Sequence, residues 1–221
     1  MRIAIMQPYF FPYLGYYRLL SLVDLFVVFD CVQFPRRGWV HRNKLTNSNG
    51  KLKWLTLPLR KDIRDAKILD LRFRENAEII FHNQINSFPV LIKGLERNRN
   101  LNDLLFSFYL DPVQYLVSQL SYMNDLFNFG AKIIRSSSLS ISPELKGNER
   151  IISIIKLFDA KNYLNSPGGI SLYDKEDFNS KNINLEFLSP YNGSFISVLE
   201  RLLQESTADL KSEIINNIEI I

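Results

Sequence analysis

Residues 2–30 read RIAIMQPYFFPYLGYYRLLSLVDLFVVFD, and this stretch decides the fold. Arg2 to Met6 is a short apolar run that stops at Gln7-Pro8, the pattern of a buried strand meeting a breaker. After Pro12, the residues Leu14, Tyr17, Leu20 and Val23 recur at helical spacing. Leu25 to Phe29 (LFVVF) is a second buried strand, with Asp30 at its C-terminal end. Strand, turn, helix and strand in such close succession make a βαβ unit, and a crossover of that kind joins parallel strands.

The same alternation returns towards the C-terminus. Ala131 to Arg135 (AKIIR), Asn162 to Asn165 (NYLN) and Asn184 to Leu188 (NLEFL) read as further strands. Asn148 to Ala160 reads as a helix turning Ile151, Ile152, Ile155 and Leu157 inward. A helical region starts near Phe195, and the last residues are expected to fray. The expected architecture is an α/β fold, an open and mostly parallel Rossmann-like sheet with helices on both faces and a helical insert.

Two segments interrupt the alternation. Residues 31–75 mix aromatic, basic and turn residues around Asn49-Gly50, a hairpin signal, and are expected to form an excursion carrying a hairpin. Residues 76–130 are helical, either a cap over the sheet or crossovers. Asn76 to Leu95 carries Ile79, Ile80, Ile85, Phe88, Leu91 and Ile92, and Asp111-Pro112 opens a helix that Gly130 closes. A chain of 221 residues fits one domain, here 1–221.

Composition removes several function classes. A 46% hydrophobic share excludes a disordered chain, and 27 basic against 23 acidic residues leave a charge of +4, too mild for a dedicated nucleic-acid binder. Anionic small molecules such as nucleotides remain suitable partners. With Cys31, His41 and His82 as the whole thiol and imidazole complement, neither a disulfide framework nor a Cys/His zinc site can assemble, and no metal site is expected. The opening MRIAIMQPYF lacks signal-peptide features, and no run approaches the ~18–20 apolar residues of a membrane span. A cytoplasmic location is expected.

Ligands of open parallel sheets bind beyond the carboxyl ends of the strands, and four polar clusters fall there: 7–16, 30–43, 135–138 and 165–173. They are expected to share one pocket. Gln7, Tyr9, Tyr13, Gly15 and Tyr16 lie on a proline-stiffened aromatic loop, with Gly15 admitting a ligand close to the backbone. The plain alternative is a hydrophobic turn over the core. Asp30 and His41 are candidate bases and Arg42 a candidate phosphate clamp; the plain alternatives are a cap or turn carboxylate paired with Arg36 or Arg37 for Asp30 and a surface or structural histidine for His41. Trp39 offers a stacking face, with Gln33, Asn43, Lys61 and Arg150 as polar partners. Asn165, Gly168, Gly169 and Tyr173 surround Ser166-Pro167-Gly168-Gly169, which resembles a phosphate-cradling loop in composition but lacks the Walker A lysine and spacing.

The segments MQPYFFPYLGYYRLL, FVVFDCVQF, GWVHRNKL, LTLPLRK, KGNERI and YLNSPGGISLYD occur in the order associated with the WbqC-like proteins, and the resemblance covers roughly residues 3 to 200. It implies a place in O-antigen or other surface-glycan biosynthesis. The implied reaction attaches glycine or another acyl group to the amine of a nucleotide-linked amino sugar, as a transferase or ligase. A more distant likeness is to pantothenate synthetases, whose nucleotidyltransferase-like fold makes acyl-adenylates from ATP. Here Tyr13-Leu14-Gly15-Tyr16 stands where their HxGH sequence would, so no cationic imidazole is supplied. On an ATP route, with Mg²⁺, Arg42, Lys61 and Arg150 would neutralise phosphate. On the alternative route an acyl carrier protein or CoA thioester brings the acyl group. A non-catalytic sugar-nucleotide-binding protein of a glycan assembly complex is the reading from a different class.

Overall fold

The computed structural model describes residues 1–61 and 65–221, so residues 62–64 of the expected excursion lie outside the described residues. The first unit forms as its sequence dictates: β1 (Arg2–Met6), α1 (Leu14–Leu20) and β2 (Leu25–Val28), with Ile3 facing Leu25 and Met6 facing Val28 in parallel register. The hairpin follows as β3 (Arg42–Thr46) and β4 (Leu52–Thr56), turning at Gly50, whose φ of 71° is one that glycine adopts freely. Next come α2 (Ala77–Ile85), α3 (Pro89–Leu95), α4 (Arg99–Leu105) and α5 (Pro112–Leu126). The chain then runs through β5 (Lys132–Arg135), α6 (Gly147–Leu157), β6 (Asn162–Asn165), α7 (Lys175–Asn179) and β7 (Asn184–Phe187), and ends in α8 (Val198–Leu202) and α9 (Thr207–Asn216).

Among the described residues the main sheet has five strands, all parallel, in the order β5-β2-β1-β6-β7. The chain moves outward from β1 through β2 to β5, then returns past β1 to build β6 and β7. Strand alternation sorts the core into two layers. Ala4, Phe26 and Val28 point to the layer of α1, α5, α8 and α9, while Ile3, Ile5, Leu25 and Val27 meet Ile151, Ile154 and Ile155 of α6 and Phe178 of α7. Because the winding reverses between β1 and β6, their carboxyl ends open a crevice.

The helical insert shares the first layer. Phe81, Phe88, Leu91, Leu101 and Leu105 pack in one cluster with Leu45 and Leu55 of the hairpin and Tyr115 and Leu116 of α5, and α5 itself lies on the route from β2 to β5. Side chains blunt both hairpin edges. Gln84 accepts from the Thr56 N–H and donates to the Thr56 carbonyl at 3.0 and 2.9 Å, and Glu200 accepts from the Thr46 N–H at 2.8 Å. Asp111 caps α5 by accepting from the N–H groups of Val113 and Gln114, each at 3.0 Å.

Three local expectations are corrected. Asn76 to Leu95 is two helices because Pro89 lacks the N–H that would continue the first, and Ile79 and Ile92 face solvent. In α6 it is Ile154 that points inward, while Leu157, near the helix end, is exposed. The C-terminus does not fray: Ile221 exchanges both backbone hydrogen bonds with Phe187, at 2.8 and 3.2 Å, extending the sheet edge beyond β7.

The C-terminal layer is tied by Arg201, which bonds Glu205 at 2.6 and 2.7 Å and Glu213 at 2.7 and 2.9 Å, while Tyr191 donates its hydroxyl to Glu213. The hydrogen bonds from Arg201 hold the Glu213 carboxyl below its ordinary value of 4.5. A carboxyl depressed on folding contributes stability that is present above the unfolded-state value and is lost as pH falls through the folded one. Chemical denaturation at a series of pH values is expected to show stability declining below pH ~4.5. Glu213→Gln is expected to flatten part of that decline, and an unchanged slope would remove Glu213 from the account.

Candidate functional site

The crevice between the ends of β1 and β6 is a cleft of about 370 Å³ walled by rings. Gln7, Tyr9, Tyr13, Gly15, Tyr16 and Trp39 line it, with Ser166 and Pro167 entering from the end of β6. The Tyr9 ring sits 5.5 Å from Trp39, 5.9 Å from Tyr16 and 6.5 Å from Tyr13, so the rings brace one another. Tyr16 donates its hydroxyl to the Gln7 carbonyl at 2.9 Å. Burial, then the neighbouring tyrosine hydroxyls, pushes the Tyr9 and Tyr16 phenols well above their ordinary value of 10, so both act here as neutral hydrogen-bonding groups. Gly15 is required by packing rather than by a ligand: a Cβ there would overlap the Tyr13 ring and come within 2.6 Å of Tyr191 Cγ.

This loop is held from below. Phe11 is fully buried with φ at 40°, a left-handed conformation unfavourable for a bulky residue. Three side chains fix it. Gln119 accepts from the Phe11 N–H at 2.7 Å, Ser197 donates to the Phe11 carbonyl at 2.7 Å, and Asn43 donates to the carbonyls of Phe10 and Phe11 at 3.1 and 2.6 Å. Asn43 is buried and therefore positions the loop without touching the cleft.

A second and larger cleft, about 720 Å³, opens past the ends of β2 and β5 on the side of α6. Gln33 and Arg150 line it, together with Cys31, Lys67, Ser136, Ser137 and Lys146. Lys67 carried no signal in the sequence; an isolated bridge between Lys67 and Gln33 brings it there. Asp30 lies under this cleft and is fully buried. One carboxylate oxygen accepts from the Ser136 hydroxyl and the Ser137 N–H at 2.8 Å each, and the other from the Ser137 hydroxyl at 2.6 Å and Arg135 Nε at 3.0 Å. With the Cys31 thiol a fifth and weaker donor at 3.8 Å, these groups hold the buried Asp30 as a clasp between the two strand ends.

The remaining candidates divide further. His41 and Lys61 line a hollow of about 240 Å³ with Arg36 and Arg60. Burial, then the charge of Arg42, lowers the His41 imidazole to about 4, and its ring packs edge-on against Phe34 at 4.9 Å. Arg42 donates to the carbonyls of Gly38 and Arg37 at 3.1 and 2.8 Å and lies 4.1 Å over the Trp54 ring, so its cation holds a turn rather than facing the ring-walled cleft. Asn165 is buried, bonding the Tyr163 hydroxyl and the Ser166 N–H, and Gly169 packs so closely that a Cβ would lie 2.6 Å from Asn165 Nδ2. Gly168 is exposed and Tyr173 stacks edge-on with Tyr163 and Phe178.

The expected single pocket is thus two clefts on opposite sides of the sheet's carboxyl edge, plus a peripheral hollow. Among the described residues no group of three or more His, Cys, Asp and Glu stands together to hold a metal ion, and no helix is long and apolar enough to cross a membrane. The first cleft suits a flat or sugar-like body, and the second suits an anion.

Parallel strands that wind outward in both directions from β1, with a cleft at the reversal, define a Rossmann-like α/β protein. The chain belongs to the WbqC-like protein family, whose model matches residues 7–196. Membership in that family suggests a role in glycan biosynthesis. The chain is also similar to a protein of Mycobacterium tuberculosis (strain ATCC 25618 / H37Rv), "Uncharacterized protein Rv1507c", at 38% identity over 58 residues, or 26% of this chain and 25% of that protein. The matched stretch therefore spans a quarter of that relative's length. No solved structure matches the chain, and the likeness to pantothenate synthetases is not confirmed.

Proposed function

We propose that this protein forms an amide on the amino group of a nucleotide-linked sugar, transferring a glycyl or other acyl group during surface-glycan biosynthesis. The observation that carries the reading is the ring-walled cleft at the reversal of the sheet, whose faces suit a base or sugar and whose rim offers Gln7 and Ser166 as polar contacts. Family membership supports the glycan setting. On the ATP route, with Mg²⁺, the sugar amine attacks an acyl-adenylate carbonyl, a C–N bond forms, AMP leaves and the ammonium proton passes to a base or to water. On the thioester route the leaving group is the thiol of CoA or of an acyl carrier protein.

A second reading is favoured by one observation. No carboxylate or imidazole among the described residues lines the ring-walled cleft, which suits a protein that binds a sugar nucleotide without catalysis. Thermal-shift titrations with UDP- and dTDP-linked amino sugars, alone, with ATP and glycine, and with acyl-CoA thioesters, test both. Binding with a new amide in the mass spectrum supports the enzyme. Binding without turnover supports the second reading, and no binding removes both.

Trp39→Ala is expected to weaken sugar-nucleotide binding about 5- to 150-fold, the range of one lost stacking contact of ~1–3 kcal/mol. Trp39 is 43% exposed but packs on Tyr9 and Trp54, so a modest fall in unfolding temperature is expected beside the loss of affinity. Calorimetric titration of the variant against wild type reads the change directly.

A further inference from the structure

We infer that the second cleft is an anion site, in which Arg150 and the first turn of α6 hold the phosphate or carboxylate head of an organic anion. Arg150 is 8% exposed and lines the cleft. Its Nη1 donates to the Ser142 carbonyl at 2.9 Å, its Nε is buried with no partner, and no carboxylate among the described residues pairs with it. A guanidinium held this way forfeits much of its hydration without a compensating charge, which folded proteins seldom tolerate outside binding sites. An oxyanion in the cleft beside the guanidinium supplies the missing charge.

The surroundings agree. Helix α6 spans 11 residues, and no side chain caps its start at Lys146, so the N–H groups of its first turn and its dipole are available to an anion. Lys67 and Lys146 add two further cations to the lining. The opposing charges are few. Asp65 lines the cleft but accepts from Gln33 at 3.2 Å, Asp30 is occupied by its five donors, and Glu149 in the first turn is exposed and does not line the cleft. About 720 Å³ is far more than a bare phosphate requires, and Phe29, Leu139 and Ile141 give part of the wall an apolar surface. The ligand is therefore an anion with an apolar or aromatic body, as in a nucleotide or an activated acyl donor.

The test uses the full chain, with thermal unfolding and calorimetric titration against inorganic phosphate, AMP, ATP, acetate and glycine. Binding with a rise in unfolding temperature that shrinks with ionic strength is expected for at least one probe. A response to the phosphates alone assigns the head as phosphate, and a response to the carboxylates alone assigns it as carboxylate. Arg150→Met is expected to cut that binding at least tenfold while leaving the ligand-free unfolding temperature equal or higher, because it removes an uncompensated charge. Arg150→Lys, which keeps the charge but loses the planar fork, is expected to bind with intermediate affinity and covers the case in which the methionine variant fails to fold. Trp39→Ala is expected to bind the anion like wild type, which separates this site from the sugar-nucleotide cleft. The inference is overturned if no probe binds at millimolar concentration, if both Arg150 variants bind as wild type does, or if Trp39→Ala abolishes the binding.

Discussion

Asp30→Ala is expected to lower the stability of the fold by about 3–5 kcal/mol, the cost of breaking a buried charge pair by removing one partner. Five donors converge on the Asp30 carboxylate: the Ser136 and Ser137 hydroxyls, the Ser137 N–H, the Arg135 guanidinium and, more weakly, the Cys31 thiol. Deleting it strands them between the ends of β2 and β5. Arg135 keeps a longer contact to Asp111 at 3.3 Å, which relieves only part of the loss. Urea denaturation measures the effect. Asp30→Asn keeps the shape but not the charge and is expected to fall between alanine and wild type. Were Asp30 instead a general base, asparagine would abolish turnover while stability stayed near wild type. Stability and any activity falling together would place Asp30 in the scaffold.

Asn43→Ala is expected to cost about 2–3 kcal/mol, since one buried amide serves two carbonyls and an orphaned buried acceptor costs ~1–3 kcal/mol. Phe11 would keep the hydroxyl of Ser197, but Phe10 would lose the side-chain donor that holds its carbonyl. The larger consequence falls on the loop. Without that clamp the left-handed Phe11 relaxes, and the residues on either side of it lose their fixed angles, Tyr9 to Trp39 and Tyr13 to Tyr9. Sugar-nucleotide affinity is expected to fall severalfold although Asn43 lies outside the cleft. A variant with reduced stability and unchanged affinity would show the rings to be braced by one another alone.

The contrast between Asn43 and Tyr9 illustrates how far a sequence reaches. Both were legible as polar groups near strand ends, yet one faces the cleft and the other supports it from inside. Arg42 and His41 likewise sit in the same short stretch as Trp39 but turn to the Trp54 ring and to the hollow beside Phe34. A hairpin's alternation sends neighbouring side chains to opposite faces, and which face meets a cleft depends on what packs behind it.

The strands of the parallel sheet, the βαβ opening, the hairpin at Asn49-Gly50 and the cap at Asp111 were determined by the sequence alone. Each rests on interactions within a few residues: a run of apolar side chains, a glycine free to take positive φ, a carboxylate beside its own helix start. The fate of the polar groups was decided only by the tertiary structure. Asp30 accepts from Ser136, 106 residues further on, because β5 lies beside β2. Arg150 keeps an unpaired nitrogen because no acidic side chain among the described residues arrives to meet it. Local pattern fixes which segments form strands and helices, whereas the partner of a buried charge is set by strand order and register, which bring distant residues together.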